Sequence, residues 1–154
     1  MSRIRLNTLD PSFKHRVART PGGEAIRACF ACKACSAACP INVVDKRYDP
    51  RKIIRMVLLG MKKEVLESDF IWLCSSCYGC HEVCPQNVRF TEVIFAIKNL
   101  AAAEACMPPG LTGQKTLLKQ HGRLYEVGEF ENAKRNKLGL PPLIEHPEDY
   151  NRLL

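Results

Sequence analysis

The twelve residues Cys29-Phe-Ala-Cys-Lys-Ala-Cys-Ser-Ala-Ala-Cys-Pro40 recur as Cys74-Ser-Ser-Cys-Tyr-Gly-Cys-His-Glu-Val-Cys-Pro85, so the pattern C-x2-C-x2-C-x3-C-P stands twice in one chain. An offset of 45 residues superimposes all four thiols, then Pro40 on Pro85, Asn42 on Asn87 and Val43 on Val88. Eight of the nine cysteines fall in this register. Such a repeat is one structural unit used twice. Thiols that merely fill a core have no reason to repeat a register, so the pattern reads as a set of ligands.

This run binds cubane 4Fe-4S clusters in bacterial two-cluster ferredoxins, where the fourth cysteine serves the other cluster. Three thiolates two residues apart line a turn wrapped about a cubane and leave backbone N–H groups free to face its sulfurs, while the fourth ligand must come from elsewhere. Crossed ligation therefore assigns Cys29, Cys32, Cys35 and Cys84 to one cluster and Cys74, Cys77, Cys80 and Cys39 to the other, related by an approximate two-fold axis. Proline after each fourth cysteine fixes its own φ and holds that cysteine extended, which sets the direction in which the chain leaves the site. Structural zinc competes, since eight thiolates also suit two zinc ions, but zinc knuckles carry two cysteines per turn rather than three. A disulfide framework needs an oxidising compartment. Met1 to Pro11 has no apolar run of signal-peptide length, and the expected location is cytoplasmic.

A chain of 154 residues suits one compact unit with a tail. Its most apolar stretches, Ile53 to Met61 and Val93 to Ala103, are short and broken by Arg55 and Lys98, so no direct membrane insertion is expected. The formal charge of +7 falls to roughly +3 once eight thiolates and two cluster cores are counted. That removes most of the case for nucleic acid, which no binding motif supports. No G-x-G-x-x-G, Walker loop or G-x-S-x-G occurs, and no acid-base constellation is visible. Ligands without a catalytic set describe a relay.

The predicted fold is mostly α: an α-helical ferredoxin with two pseudo-symmetric 4Fe-4S motifs and an irregular helical C-terminal arm. Residues 1–21 form an N-terminal extension, with two helical turns over Ser12 to Arg19 started by Asp10 and Pro11. Residues 22–106 form the dicluster domain. In it, Glu24 to Ala28 delivers Cys29, and Asp49-Pro50 starts a helix whose Ile53, Ile54, Val57, Leu58 and Met61 face the core, with Arg51, Lys52, Arg55 and Lys62 opposite. A short helix over Lys63 to Ser68 follows, and Thr91 caps a helix from Glu92 to about Ala105 with Val93, Ile94, Ile97, Leu100 and Ala101 inward. Residues 107–154, opened by Met107-Pro-Pro-Gly110, are too broken for a core of their own and read as a subunit-docking arm, with helical pieces at Gly113 to His121 and Glu129 to Leu138.

Some residues invite more than they carry. Cys106 lies outside both motifs and reads as a plain apolar or free thiol. His81, between Cys80 and Cys84, reads as solvent-facing. Trp72 and Tyr78 flank the second motif as packing residues. Lys33, where the repeat has Tyr78, is either an exposed loop lysine or a charge beside the first cluster.

Pro21-Gly-Gly-Glu24, Cys29 to Pro40, Arg51-Lys-Ile-Ile54, Leu59-Gly60, Glu64-Val-Leu66, Trp72 to Pro85 and Lys137-Leu-Gly-Leu-Pro141 resemble the C-type member of heterodisulfide reductase. The cysteine motifs alone are shared with succinate dehydrogenase, glycolate oxidase and anaerobic glycerol-phosphate dehydrogenase subunits. The resemblance implies two 4Fe-4S clusters that pass electrons from a flavin and iron-sulfur A-type subunit to a B-type subunit, whose Cys-Cys-Gly motifs hold the catalytic clusters. This chain has no Cys-Cys pair, so the resemblance makes it a non-catalytic member of a CoB-CoM heterodisulfide reductase type complex, which hydrogenase or formate dehydrogenase modules can extend. Two other readings stay open: a relay serving a flavin-dependent small-molecule dehydrogenase, and a zinc-stabilised adaptor.

Overall fold

A computed structural model describes residues 6–152; the first five residues of the expected extension and residues 153–154 of the arm lie outside them. The described residues are helical throughout, without a strand. They divide into two compact units, Met1–Cys106 and Met107–Leu154.

In the first unit α1 (Phe13–Arg19) starts later than the sequence suggests. Asp10 accepts hydrogen bonds from the Ser12 N–H at 2.9 Å and the Ser12 hydroxyl at 2.6 Å, which commits Pro11 and Ser12 to a turn before the helix. Phe13 and Val17 of α1 are fully buried. A 3-10 turn over Glu24–Ala28 then leads to α2 (Ala34–Ala37), and α3 (Pro40–Val44) follows with proline at its first position. The helix α4 (Pro50–Leu58) begins as expected, its Asp49 carboxylate accepting the Lys52 N–H at 3.0 Å, and buries Ile53, Ile54 and Val57. Gly60 ends it at φ +79; a Cβ there would meet the Asp10 carbonyl at 2.4 Å, so both the backbone sign and the close approach of the N-terminal segment require glycine.

The remaining elements of this unit are α5 (Lys62–Leu66), a 3-10 turn Phe70–Leu73, α6 (Gly79–Glu82) and α7 (Phe90–Ala103). The longest helix, α7, starts two residues before the expected Glu92. Arg89, in the left-handed region at φ +54, takes the cap position, and Thr91 sits buried in the first turn rather than capping it. Val93, Ile94, Ile97 and Ala101 complete one core with Tyr48, Ile26, Val65, Leu66 and Ile71. Burial of this many aliphatic side chains, at roughly 1.5–3 kcal/mol each, is what holds short helices that would not persist alone.

Glu104, just past α7, ties three elements together. It accepts Arg16 at 2.5 Å and Lys62 at 2.8 Å. The hydrogen bond from Lys62, then that from Arg16, holds its carboxyl below the usual glutamate range. A carboxyl depressed on folding stabilises the fold above its ordinary range and loses that contribution as pH falls through the lowered value. Glu104→Gln is expected to cost about 1 kcal/mol at neutral pH, and the deficit against wild type should close on acidification; urea unfolding at pH 7 and in acid checks both.

The second unit contains α8 (Pro109–His121), α9 (Glu129–Lys137) and α10 (Pro147–Asn151), none of which buries a residue. Polar staples hold it instead. Glu145 meets His121 and the Val127 N–H, each at 3.1 Å, Asn132 brackets Leu143 with two bonds, and Arg135 donates to the Pro141 carbonyl.

Candidate metal centre

The two motifs repeat in backbone conformation as well as in sequence. Each is led in by a 3-10 turn and carries a four-residue helix, α2 or α6, at the same offset of 45. Ala31 and Lys33 of the first copy, and Ser76 and Tyr78 of the second, all have positive φ, between 55° and 76°. Left-handed conformation costs a non-glycine residue on the order of 1 kcal/mol. Placed alternately between thiols it turns successive N–H groups to one concave side, the arrangement that binds anionic groups. The helices pack as a crossed set, α2 on α6 and α4, and α6 on α7.

This packing opens two cavities. Cys29, Cys32, Cys35 and Cys84 line the first, together with Phe30, Ile54, Val88 and Phe90. Cys39, Cys74, Cys77 and Cys80 line the second, with Ile41, Tyr48, Pro50 and Tyr78. Cys80 also borders the first, so one thiol stands in the wall between them. All eight predicted ligands are brought to these cavities, and the fourth cysteine of each motif lies with the first three of the other. The donor set fits clusters rather than single ions. The thiols are soft ligands, and each cavity gathers the four thiols of one predicted set, the number that a 4Fe-4S cluster takes.

Electrostatics around the thiols follows from burial. The Cys35 thiol is pushed up to about 11 chiefly by desolvation, and burial also raises Cys80, opposed by the Thr91 hydroxyl 3.4 Å from its sulfur. The Cys84 sulfur accepts the Val88 N–H at 3.3 Å. Tyr48, almost fully buried and edge-on to Phe90, has its phenol driven far above the ordinary range by burial and by its hydrogen bond with Cys74.

Sequence reasoning misses three residues here. Thr91 reads as a cap by type; its hydroxyl is against Cys80 instead, because Arg89 takes the cap. Arg51 belongs by periodicity to the solvent side of α4, but it lines the first cavity, and its Nε is shut off from solvent with no hydrogen-bond partner. Tyr48 carries no signal in the sequence that singles it out. His81 is half-buried beside Tyr78, its Nδ1 inaccessible and unpaired, rather than facing solvent. Lys33 is exposed at the mouth of the first cavity, and Trp72 lies under Lys98 at 5.8 Å. Cys106 sits apart, its thiol donating to the Glu104 carbonyl.

Residues 24–88 match the family model of a 4Fe-4S dicluster domain. Fold, donor set and this match define a helical two-cluster 4Fe-4S protein. Among curated relatives, the second iron-sulfur C-type polypeptide of the CoB–CoM heterodisulfide reductase of Methanocaldococcus jannaschii is 36% identical over 118 residues, covering 77% of this chain and 62% of that protein. The C-type polypeptide of the H(2):CoB-CoM heterodisulfide,ferredoxin reductase of Methanothermobacter thermautotrophicus is 32% identical over 142 residues, covering 90% and 76%. Its counterpart in the ferredoxin:CoB-CoM heterodisulfide reductase of Methanosarcina mazei is 30% identical, covering 86% and 81%. The chain belongs to this family, the C-type iron-sulfur polypeptides of heterodisulfide reductase. It spans less than two thirds of the length of the Methanocaldococcus relative. Among the described residues no helix is long and apolar enough to cross a membrane.

Proposed function

We propose that this chain is the electron relay of a heterodisulfide-reductase-type complex, receiving electrons from a flavin and iron-sulfur A-type subunit and passing them to a Cys-Cys-Gly B-type subunit that reduces a disulfide. The observation that carries this reading is the pair of thiol-ringed cavities sharing the Cys80 wall, neither containing an acid-base pair. Cys29, Cys32, Cys35 and Cys84 would hold one 4Fe-4S cluster, and Cys74, Cys77, Cys80 and Cys39 the other. When bound, the clusters supply one-electron carriers.

The chain's own residues do the rest. Ile54, Val88 and Phe90 exclude water from the first cage, and Tyr48 and Ile41 from the second. The Val88 N–H and the Thr91 hydroxyl contact ligand sulfurs, which stabilises added negative charge. Exposed apolar side chains of the second unit, including Tyr125, Phe130, Leu138 and Ile144, favour a role for it in docking a partner subunit.

Anaerobic reconstitution of the whole chain should give about eight irons and two reducible clusters, and capture from its native source should bring down a Cys-Cys-Gly subunit. Two zinc ions without acid-labile sulfide would overturn the reading. Capture of a flavin-dependent hydroxyacid or glycerol-phosphate dehydrogenase alone would move the relay to another complex.

A further inference from the structure

The two cages differ in fixed charge. Arg51 and Lys33 line the first, with no acid among its walls, whereas the second is lined by no charged side chain. Lys33 is exposed, so solvent and salt screen it. Arg51 is held differently. Its backbone N–H donates to the Ser36 hydroxyl at 3.2 Å, next in sequence to Cys35, and its guanidinium Nε is buried without a partner in a cavity otherwise walled mainly by apolar groups and thiols. An unpaired buried N–H is destabilising, and a guanidinium does not lose its charge.

We propose that Arg51 sets the reduction potential of the Cys29 cage, as a cation positioned in the cage lining, a place that no charged side chain occupies in the Cys74 cage. The inference rests on the reading that both cages carry clusters. One electron entering the first cage makes and breaks no bond and takes up no proton; it adds one negative charge beside a permanent positive one, in surroundings where Ile54, Val88 and Phe90 lower the local dielectric. Asp49 lies outside the lining; its carboxylate accepts hydrogen bonds from the Ser36 hydroxyl at 2.5 Å and the Lys52 N–H at 3.0 Å, and its negative charge offsets part of the Arg51 charge. Around the second cage the corresponding help is neutral: the Tyr48 hydroxyl toward Cys74 and the Thr91 hydroxyl toward Cys80. Lys98 acts there from outside the lining, stacked between Trp72 and Phe95. The first cage has a cation in its own lining, whereas the second has hydroxyl donors in its lining and a cation outside it.

The test is redox titration of the reconstituted full chain, followed by electron paramagnetic resonance, for wild type, Arg51→Gln and Arg51→Lys. Signals are first assigned to cages with Cys29→Ser and Cys74→Ser. Arg51→Gln should lower the reduced-to-oxidised ratio of the Cys29 cage about tenfold at fixed potential, which is about 59 mV for one electron, and leave the Cys74 cage in place. Arg51→Lys should keep most of the wild-type value. Unmoved potentials, an equal shift in both cages, or loss of iron from the first cage in both variants would overturn the inference, the last by making Arg51 only a wall. A wild-type chain without two reducible clusters would overturn the reading of the cages and this inference with it.

Discussion

Cys84→Ser should remove the cluster associated with Cys29, Cys32 and Cys35, and leave the one associated with Cys74, Cys77 and Cys80. Iron is expected to fall from about eight to about four per chain, with one set of resonance signals lost and the other unchanged. Sequence distance alone points the other way, because Cys84 is four residues from Cys80 and 49 from Cys35. The packing of α2 on α6 favours the crossed assignment: Cys84 lines the first cavity and not the second, its sulfur accepting the Val88 N–H at 3.3 Å, while Cys80 lines both. Cys39→Ser is the reciprocal case and should spare the signals that Cys84→Ser removes. Loss of the Cys74 signals in the Cys84 variant would mean that each motif ligates its own cluster and that ligation does not cross.

The positions of the thiols and of the helices that carry the core were legible because both depend on spacing. Three cysteines two apart, followed by C-x3-C-P, fix a turn and an exit direction, and the apolar stripe Ile53, Ile54, Val57 has the helical period. What escaped were features that leave no residue-type signature. Ala31, Lys33, Ser76 and Tyr78 are left-handed without being glycine or asparagine; such conformations persist where the surrounding structure imposes them, which local propensity does not contain. Arg51 looks like part of a charged outer face, because a charge on an amphipathic helix is usually solvated. Only the approach of α2 and the second motif turns that face into a cavity wall. Thr91 is a good cap by type, but Arg89 adopts a left-handed turn one residue earlier than Phe90, which places the threonine inside the helix and against Cys80. Phe13 and Val17 fall in an extension whose packing the sequence leaves open; both are core residues, since α1 covers α4 and α7.

Deleting residues 107–154 is expected to leave two reducible clusters and an unchanged urea midpoint for the remaining unit, while abolishing co-purification of the partner subunit. Every thiol that lines a cage, and every residue of the core, lies in the Met1–Cys106 unit. The second unit contributes no buried helix residue, and polar staples of about 0.5–1.5 kcal/mol each hold its helices in register. Leu124, Tyr125, Phe130, Leu138 and Ile144 are each more than half exposed. A segment that uses hydrogen bonds to fix its own shape and leaves its large apolar side chains outside is preorganised for a surface it does not itself provide. Aromatic anchors dominate such contacts, so Phe130→Ala alone should weaken capture about 30-fold, the equivalent of about 2 kcal/mol, without altering iron content. Loss of the clusters on deletion would instead make the second unit part of the cage fold. Undiminished capture would place docking on the first unit, where Phe30, Val43 and Val44 are the exposed apolar candidates beside the motifs.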